Sequence, residues 1–379
     1  MFGKSFPLFR VLGFPIRIDV SWFVVVVLVT WSLSDYFPTV LEGQSTATYW
    51  WMGAAGALGL FTSVVLHELA HAVVARRFGL SIRGITLFIF GGVAEMESEP
   101  PSPKAEFWVA IAGPIASAAI GGGCLLMRAA AEGAGMAPPL IAVFAYLGLI
   151  NLMLVVFNLI PAFPLDGGRI LRSLLWHVQG SLRRSTRITS RIGAGFGIAL
   201  ILFGVMLVVL GGAEAFVSGM WMFLIGMFLR GAAQMSYQQL LVRSALEGEP
   251  VRRFMKTDPV TVSRAMPVSE LVQDYVYRHH FKMFPVVDNG RLVGCVSTRQ
   301  IQGLPREEWD RTSVGALTES CSSENTTAPD DDTLAALTKM NKSGMSRLMV
   351  VEGDRLVGIL ALKDLLQFLA LKVELEGDG

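Results

Sequence analysis

His67 and His71 stand four residues apart in the string His67-Glu68-Leu69-Ala70-His71. On a helix, positions four apart share a face, so both imidazoles can be offered to one metal ion. Glu68 is then the carboxylate beside them, placed to act as general base on a metal-activated water. The chain has five histidines, at 67, 71, 177, 279 and 280. Two of them at this spacing around a glutamate, inside an apolar run, favour a metal site over a chance pair of core histidines. A hydrolytic zinc site takes three protein ligands and leaves one position open for water. His279 and His280 lie in a polar C-terminal region, and His177 follows Trp176 at a segment end. Asp166 is the better third ligand. It follows an apolar stretch and is bracketed by Pro164 and Gly167-Gly168, where the backbone can break and turn a carboxylate inward. The competing reading of Asp166 is a helix cap at a membrane exit.

These residues need apolar elements to carry them. The chain of 379 residues is 52% hydrophobic and only 17% charged, against about 25% charged in soluble proteins. The deficit falls in residues 1–245, where six apolar segments are long enough to span a bilayer. They begin near Val20, with the second at about 50–75, the third at about 107–126 and the fourth at about 140–160. The last two are at about 193–211 and 215–229. Residues 170–178 read as a short helix and 180–191 as a basic loop. Ile85 to Phe90 is rich in β-formers, stops at Gly91-Gly92 and is followed by alternation to Glu97, which predicts a β-hairpin or re-entrant segment. Six spans place both termini on one side. The N-terminus, Arg76, Arg77, Arg83, Lys104, Arg169, Arg172, the 183–191 arginines and Arg230 all fall on that side, which the positive-inside rule assigns to the cytosol. His67, nine residues before Arg76, then lies roughly 14 Å below the cytosolic surface of the cell membrane. No basic patch points to nucleic acid. Cys124, Cys295 and Cys321 have neither metal-ligand spacing nor a disulfide framework.

The HELAH string, together with Asn158-Leu159-Ile160-Pro161-Ala162-Phe163-Pro164-Leu165-Asp166-Gly167 in a later segment, resembles the site-2 protease family of intramembrane zinc metalloproteases. Gly91-Gly92 and Ala112-Gly113-Pro114 fit the family pattern, and the likeness covers about residues 10–240. It implies one Zn2+ per chain held by His67, His71 and Asp166, with Glu68 activating water. It also implies that Asn158 helps hold substrate or the developing oxyanion. Gly91, Gly92 and the 85–97 segment would border an extended substrate. Substrates in the family are single-span membrane proteins such as membrane-tethered transcription regulators or anti-sigma factors.

Residues 246–379 read as an ordinary soluble domain containing two copies of one unit, about 250–304 and 312–370. Phe284 to Gly294 parallels Leu348 to Gly358, each a strand, a turn and a strand leading to a helix. This resembles a tandem pair of cystathionine-β-synthase (CBS) domains, a family in which adenosine nucleotides are often bound through a Gly-x-x-Thr/Ser-x-x-Asp string. The first copy offers Gly294, Ser297 and Gln300, without the acid. The second offers Gly358, Ala361 and Asp364, without the hydroxyl. Ser297 and Asp364 are therefore candidate contacts in two incomplete half-sites, and a structural or dimerising pair, associating as a homodimer, is the competing reading. The expected fold is a polytopic α-helical membrane protein of about six transmembrane helices with a C-terminal α/β CBS pair. The expected function is zinc-dependent intramembrane proteolysis regulated by that pair. A CBS-regulated membrane transporter and an inactive membrane scaffold are the alternatives.

Overall fold

The computed structural model describes residues 5–89, 91–96, 98–353 and 355–376. Phe90 and Glu97 of the predicted 85–97 segment, and Asp354 of the second repeat string, lie outside the described residues. The chain divides between Gln238 and Gln239 into two compact units.

In the first unit a hairpin comes before any helix. β1 (Ser5–Val11) and β2 (Phe14–Asp19) pair antiparallel across Leu12-Gly13. Both turn residues have positive φ, 50° and 88°, the backbone of a two-residue hairpin turn. Sequence patterning does not reveal these strands, since Pro7 and Pro15 break the alternation that signals them. Asp19 closes β2 and starts α1 (Val20–Val40) by accepting the Ser21 N–H at 2.9 Å. Ser45 caps α2 (Thr46–Arg77) on the Thr48 N–H at 3.2 Å. Two further strands follow, β3 (Ile82–Phe88) and β4 (Gly91–Met96). The four form one sheet in the order β1-β2-β3-β4, with β2 and β3 parallel and β4 antiparallel to β3 at the edge. One sheet face buries Phe14, Ile16 and Ile85 against Leu69 and Ala72 of α2, so the metal-motif helix is packed on the sheet.

Ser102 and Pro103 start α3 (Pro103–Gly133), the serine oxygen accepting from the Ala105 N–H and the proline filling the first turn. α4 (Pro138–Asn158) and a short α5 (Asp166–Gln179) follow, then α6 (Leu182–Gly212) and α7 (Ala215–Leu246). Gly212, at φ 61° and ψ −150°, breaks α6 from α7. Among the described residues, six of these helices, all but α5, are long and apolar enough to cross a membrane. Two expectations need correction. Residues 182–191 are the first turns of α6 and no loop, because arginine is a good helix former and Ser181 accepts the Arg184 N–H at 3.3 Å. The last span continues to Leu246 where 229 was expected. α6 and α7 meet backbone to backbone: a Cβ on Gly204 would lie 2.5 Å from the Gly219 carbonyl oxygen, and one on Gly226 2.6 Å from that of Gly197. Such small-residue contacts draw helices together in lipid, where apolar burial gives no drive.

The second unit holds two sheets. β5 (Val262–Ser263), β6 (Met283–Asp288), β7 (Arg291–Ser297) and β8 (Glu319–Ser320) form one in that order. β9 (Thr326–Thr327), β10 (Arg347–Glu352) and β11 (Arg355–Ala361) form the other, with β10 central. The two copies exchange material. Leu246 and Val251, which precede the first copy's sheet, are buried with Leu348, Val350 and Leu360 of the second. In return Val314 packs with Val262, Phe284 and Val296, and β8 pairs with β7. Residues 312–320, read from sequence as the start of the second copy, thus belong in space to the first.

Candidate metal centre

α2 carries His67 and His71 on one buried face, and α5 brings Asp166 to them at its first position. The His67 Nε2 lies 3.0 Å from Asp166 Oδ2, the His71 Nε2 3.2 Å from Asp166 Oδ1, and the two Nε2 atoms are 3.1 Å apart. Two nitrogens bound to one tetrahedral zinc at about 2.0–2.1 Å sit about 3.3 Å apart, so the three donors already have nearly the spacing an ion imposes. All three residues are buried, and three buried polar groups converging on one point call for a cation.

The other ring nitrogens are engaged. The His71 Nδ1–H donates to the Val109 carbonyl at 2.6 Å, and His67 Nδ1 is 2.9 Å from the Ser117 hydroxyl. Both partners are on α3. They hold the rings in orientation and leave each Nε2 lone pair facing the other donors, as second partners do at metal-binding histidines. Between them on the same helix, a Cβ at Gly113 would fall 2.5 Å from the His67 Nε2 and closer still to that of His71. Glycine keeps open the volume an ion needs. The donor set, its spacing and this cradle fit a divalent ion of the zinc kind.

Asp166 owes its place to a clamp behind it. Arg172, two turns along α5, is buried, and its Nε–H donates to Glu106 Oε1 of α3 at 2.5 Å. The same guanidinium lies 3.2 Å from Glu99, donates to Thr186 of α6 at 3.4 Å and covers the Phe163 ring at 5.2 Å. Glu106 is fully buried, and Arg169 approaches it at 4.0 Å. Arg169 and Arg172, placed from sequence on the side that the positive-inside rule assigns to the cytosol, are also ion-pair partners joining α5 to α3.

Glu68 is half-buried beside the histidines, and its Oε2 accepts the Ala94 N–H of β4 at 3.1 Å. Gly92 lies against the same side chain: a Cβ there would stand 2.8 Å from the Glu68 Cγ. Gly91 opens β4 at φ 128°, a value suited to glycine. Asn158 ends α4, half-buried. The deeply buried asparagine of that helix is Asn151, whose Nδ2–H donates to Ser63 of α2 at 3.0 Å. Ser297 and Asp364 lie in the second unit. The Ser297 hydroxyl donates to Gln300 Oε1 at 2.9 Å, and Asp364 Oδ1 is 3.2 Å from Lys256 Nζ. Sequence reasoning missed Ser117, Gly113, Val109, Ala94, Glu106 and the interior role of Arg172. The available signals were weak: Ala112-Gly113-Pro114 as a motif, and Glu106 as an acid inside a span-length helix.

The sequence profile of peptidase family M50 matches residues 55–134 and 122–204, and that of the CBS domain residues 251–304 and 322–371. Rip3 of Mycobacterium tuberculosis, carried under a provisional zinc-metalloprotease name, is 35% identical over 95% of this chain and 91% of its own length. The zinc metalloprotease MJ0392 of Methanocaldococcus jannaschii is 32% identical over 98% of this chain and 99% of its own. Among solved structures, the site-2 protease from Methanocaldococcus jannaschii is 32% identical, covering 61% of this chain and 94% of that one with a TM-score of 0.43.

Proposed function

From the premise that this chain belongs to peptidase family M50, as a multi-pass membrane zinc metalloprotease of the site-2 type with a CBS pair, we propose that it cuts peptide bonds within the transmembrane segments of single-span membrane proteins. Membrane-tethered transcription regulators and anti-sigma factors are the substrate class. The observation that carries this reading is the convergence of His67, His71 and Asp166, all buried, beside Glu68 and an edge strand.

A helix in lipid hides every peptide group in its own hydrogen bonds, so a substrate must be locally extended before it can be attacked. The outer edge of β4, with Gly91 and Gly92 at its start, offers main-chain groups for such a segment. Zinc, when held by His67, His71 and Asp166, supplies Lewis acidity and a nucleophilic water near neutral pH. Glu68 takes the proton of the attacking water as its oxygen adds to the carbonyl carbon. It then delivers that proton to the nitrogen as the C–N bond breaks. Asn158 assists by holding substrate or the developing negative oxygen.

The arginines at one end of the spans support a cytosolic placement of both termini in the cell membrane, with the site entered from that side. The CBS pair acts as a regulatory module, binding adenine nucleotide through Ser297 and Asp364 and associating as a homodimer. The half-buried Asp364, with its Oδ2 lacking a partner among the described residues, supports a ligand there. The test is co-expression with tagged single-span proteins. Wild type releases a cytosolic fragment, and Glu68→Gln retains zinc and releases none. Equal release by both removes Glu68 from the base role.

A further inference from the structure

In an antiparallel ladder every second residue turns its N–H and C=O away from the partner strand. Ala94 faces Ile85 in the β3–β4 register, yet its N–H is given to Glu68 Oε2 at 3.1 Å. Ala94 is therefore an outward-facing position of β4, and by the alternation Gly92 and Met96 are the others. β4 is the edge of its sheet. The outward N–H of Ala94 is thus a main-chain donor that an added strand would use, and in the free protein it is occupied by the carboxylate next to His67.

One N–H cannot serve both acceptors at full strength. We infer that the Ala94 amide is a shared donor: it holds the Glu68 carboxylate in the free enzyme, and an extended substrate segment pairing with β4 claims it, so that strand docking and release of the base are one event. This rests on the assignment of Glu68 as the base and of β4 as the docking edge. The local packing suits the exchange. With no side chain at Gly92, the strand backbone lies against the Glu68 stem. Ala94 itself packs on the core formed by Leu69, Ala72 and Ile85, which fixes β4 relative to α2. Before a substrate arrives, the side chain is held by the strand. Afterwards the strand is engaged by substrate and the carboxylate is free to turn to the attacking water. Ala94 is in this sense a positioning residue, acting through Glu68.

The test is Ala94→Pro in the zinc-loaded, detergent-solubilised full chain, with unstructured casein as probe. Proline removes the outward N–H and fixes φ, and at an edge position of this kind it costs no ladder bond. The expected result is a rise in KM of about twofold, less than the roughly three- to tenfold of a wholly lost hydrogen bond, because the hold on Glu68 no longer has to be broken. Zinc content should be unchanged and kcat within about twofold, since the base no longer has to be released. A larger fall in kcat makes the bond one that orients the base for chemistry and overturns the proposal, as does a KM raised by the full roughly tenfold, which makes the amide a substrate donor that Glu68 does not contest. If the proline variant loses zinc, hydrogen exchange decides. In Glu68→Ala the Ala94 amide should exchange faster than in wild type, and casein should slow it again. Casein leaving it unchanged overturns the proposal. Glu68→Gln is assayed alongside: wild-type kcat in that variant sinks the base assignment, while exchange at Ala94 still reports on strand pairing.

Discussion

At the scale of single residues, the centre depends on a position with no side chain. Gly113 faces the two Nε2 atoms, and any Cβ there would occupy the space between them. Gly113→Ala should abolish stoichiometric zinc and lower proteolysis by at least about 10²-fold, the upper range for outer residues of a metal site. Helix content should remain, since alanine is the better helix former. Metal analysis of the purified variant beside its far-ultraviolet circular dichroism checks this, and bound zinc at the wild-type level would refute it. The pairing of His67 and His71, with Glu68 beside them, is legible in the sequence because histidine is scarce in the chain and the spacing puts both rings on one helix face. Gly113 and Ser117 were not. Small residues in an apolar helix serve helix packing equally well, and only the fold shows which of them face the imidazoles.

At the scale of elements, α3 is the frame on which the helices carrying His67, His71 and Asp166 are set. It contacts the histidine rings through Val109 and Ser117 and grips α5 through Glu106. Removing one partner of a buried ion pair leaves an uncompensated charge, at a cost of about 3–5 kcal/mol. Arg172→Met should therefore lower the thermal unfolding midpoint in detergent and weaken zinc retention together, because Asp166 shares α5. Adding Glu106→Met should recover most of the stability, a result that calorimetry of the double variant would show. The sequence marked these helices well, since an uncharged apolar run of span length is too long for an ordinary core helix and suits a bilayer. It does not show which charges are buried. Counting arginines by the end of the span on which they fall gives a side and takes no account of burial, so the ion pair of Arg172 with Glu106 is visible only in the fold. β1 and β2 were hidden by their prolines and short lengths. Ala94 could not be seen at all, because its contribution is a main-chain N–H.

At the scale of the whole molecule, the two units respond to different conditions. The first holds the buried cluster of His67, His71 and Asp166, and the second holds a carboxylate whose pKa is lowered in the fold. Asp331 accepts the Thr327 hydroxyl at 2.7 Å and the Ala328 N–H at 2.8 Å. These bonds, the hydroxyl's first, together with the field of Lys339, hold its carboxyl below the usual carboxylate range against a smaller opposing effect of burial. A lowered folded value means the stabilisation is complete above the unfolded value, about 3.9, and is lost as pH falls through the folded one. The urea midpoint of an excised 239–379 unit, followed through Trp309, should drop below about pH 4. In Asp331→Asn that part of the pH dependence should disappear. An unchanged acid limb in the variant would mean that Asp331 is not the titrating group.

The trade of segments between the two CBS copies bears on how such a protein can be assembled from genes. Residues 246–256 complete the hydrophobic core of the later copy, and 314–320 complete the sheet of the earlier one. A recombination junction placed between the repeats would strip both halves of a strand or a core segment. In physical terms the pair is one cassette, since neither copy closes its own core or sheet without residues from the other.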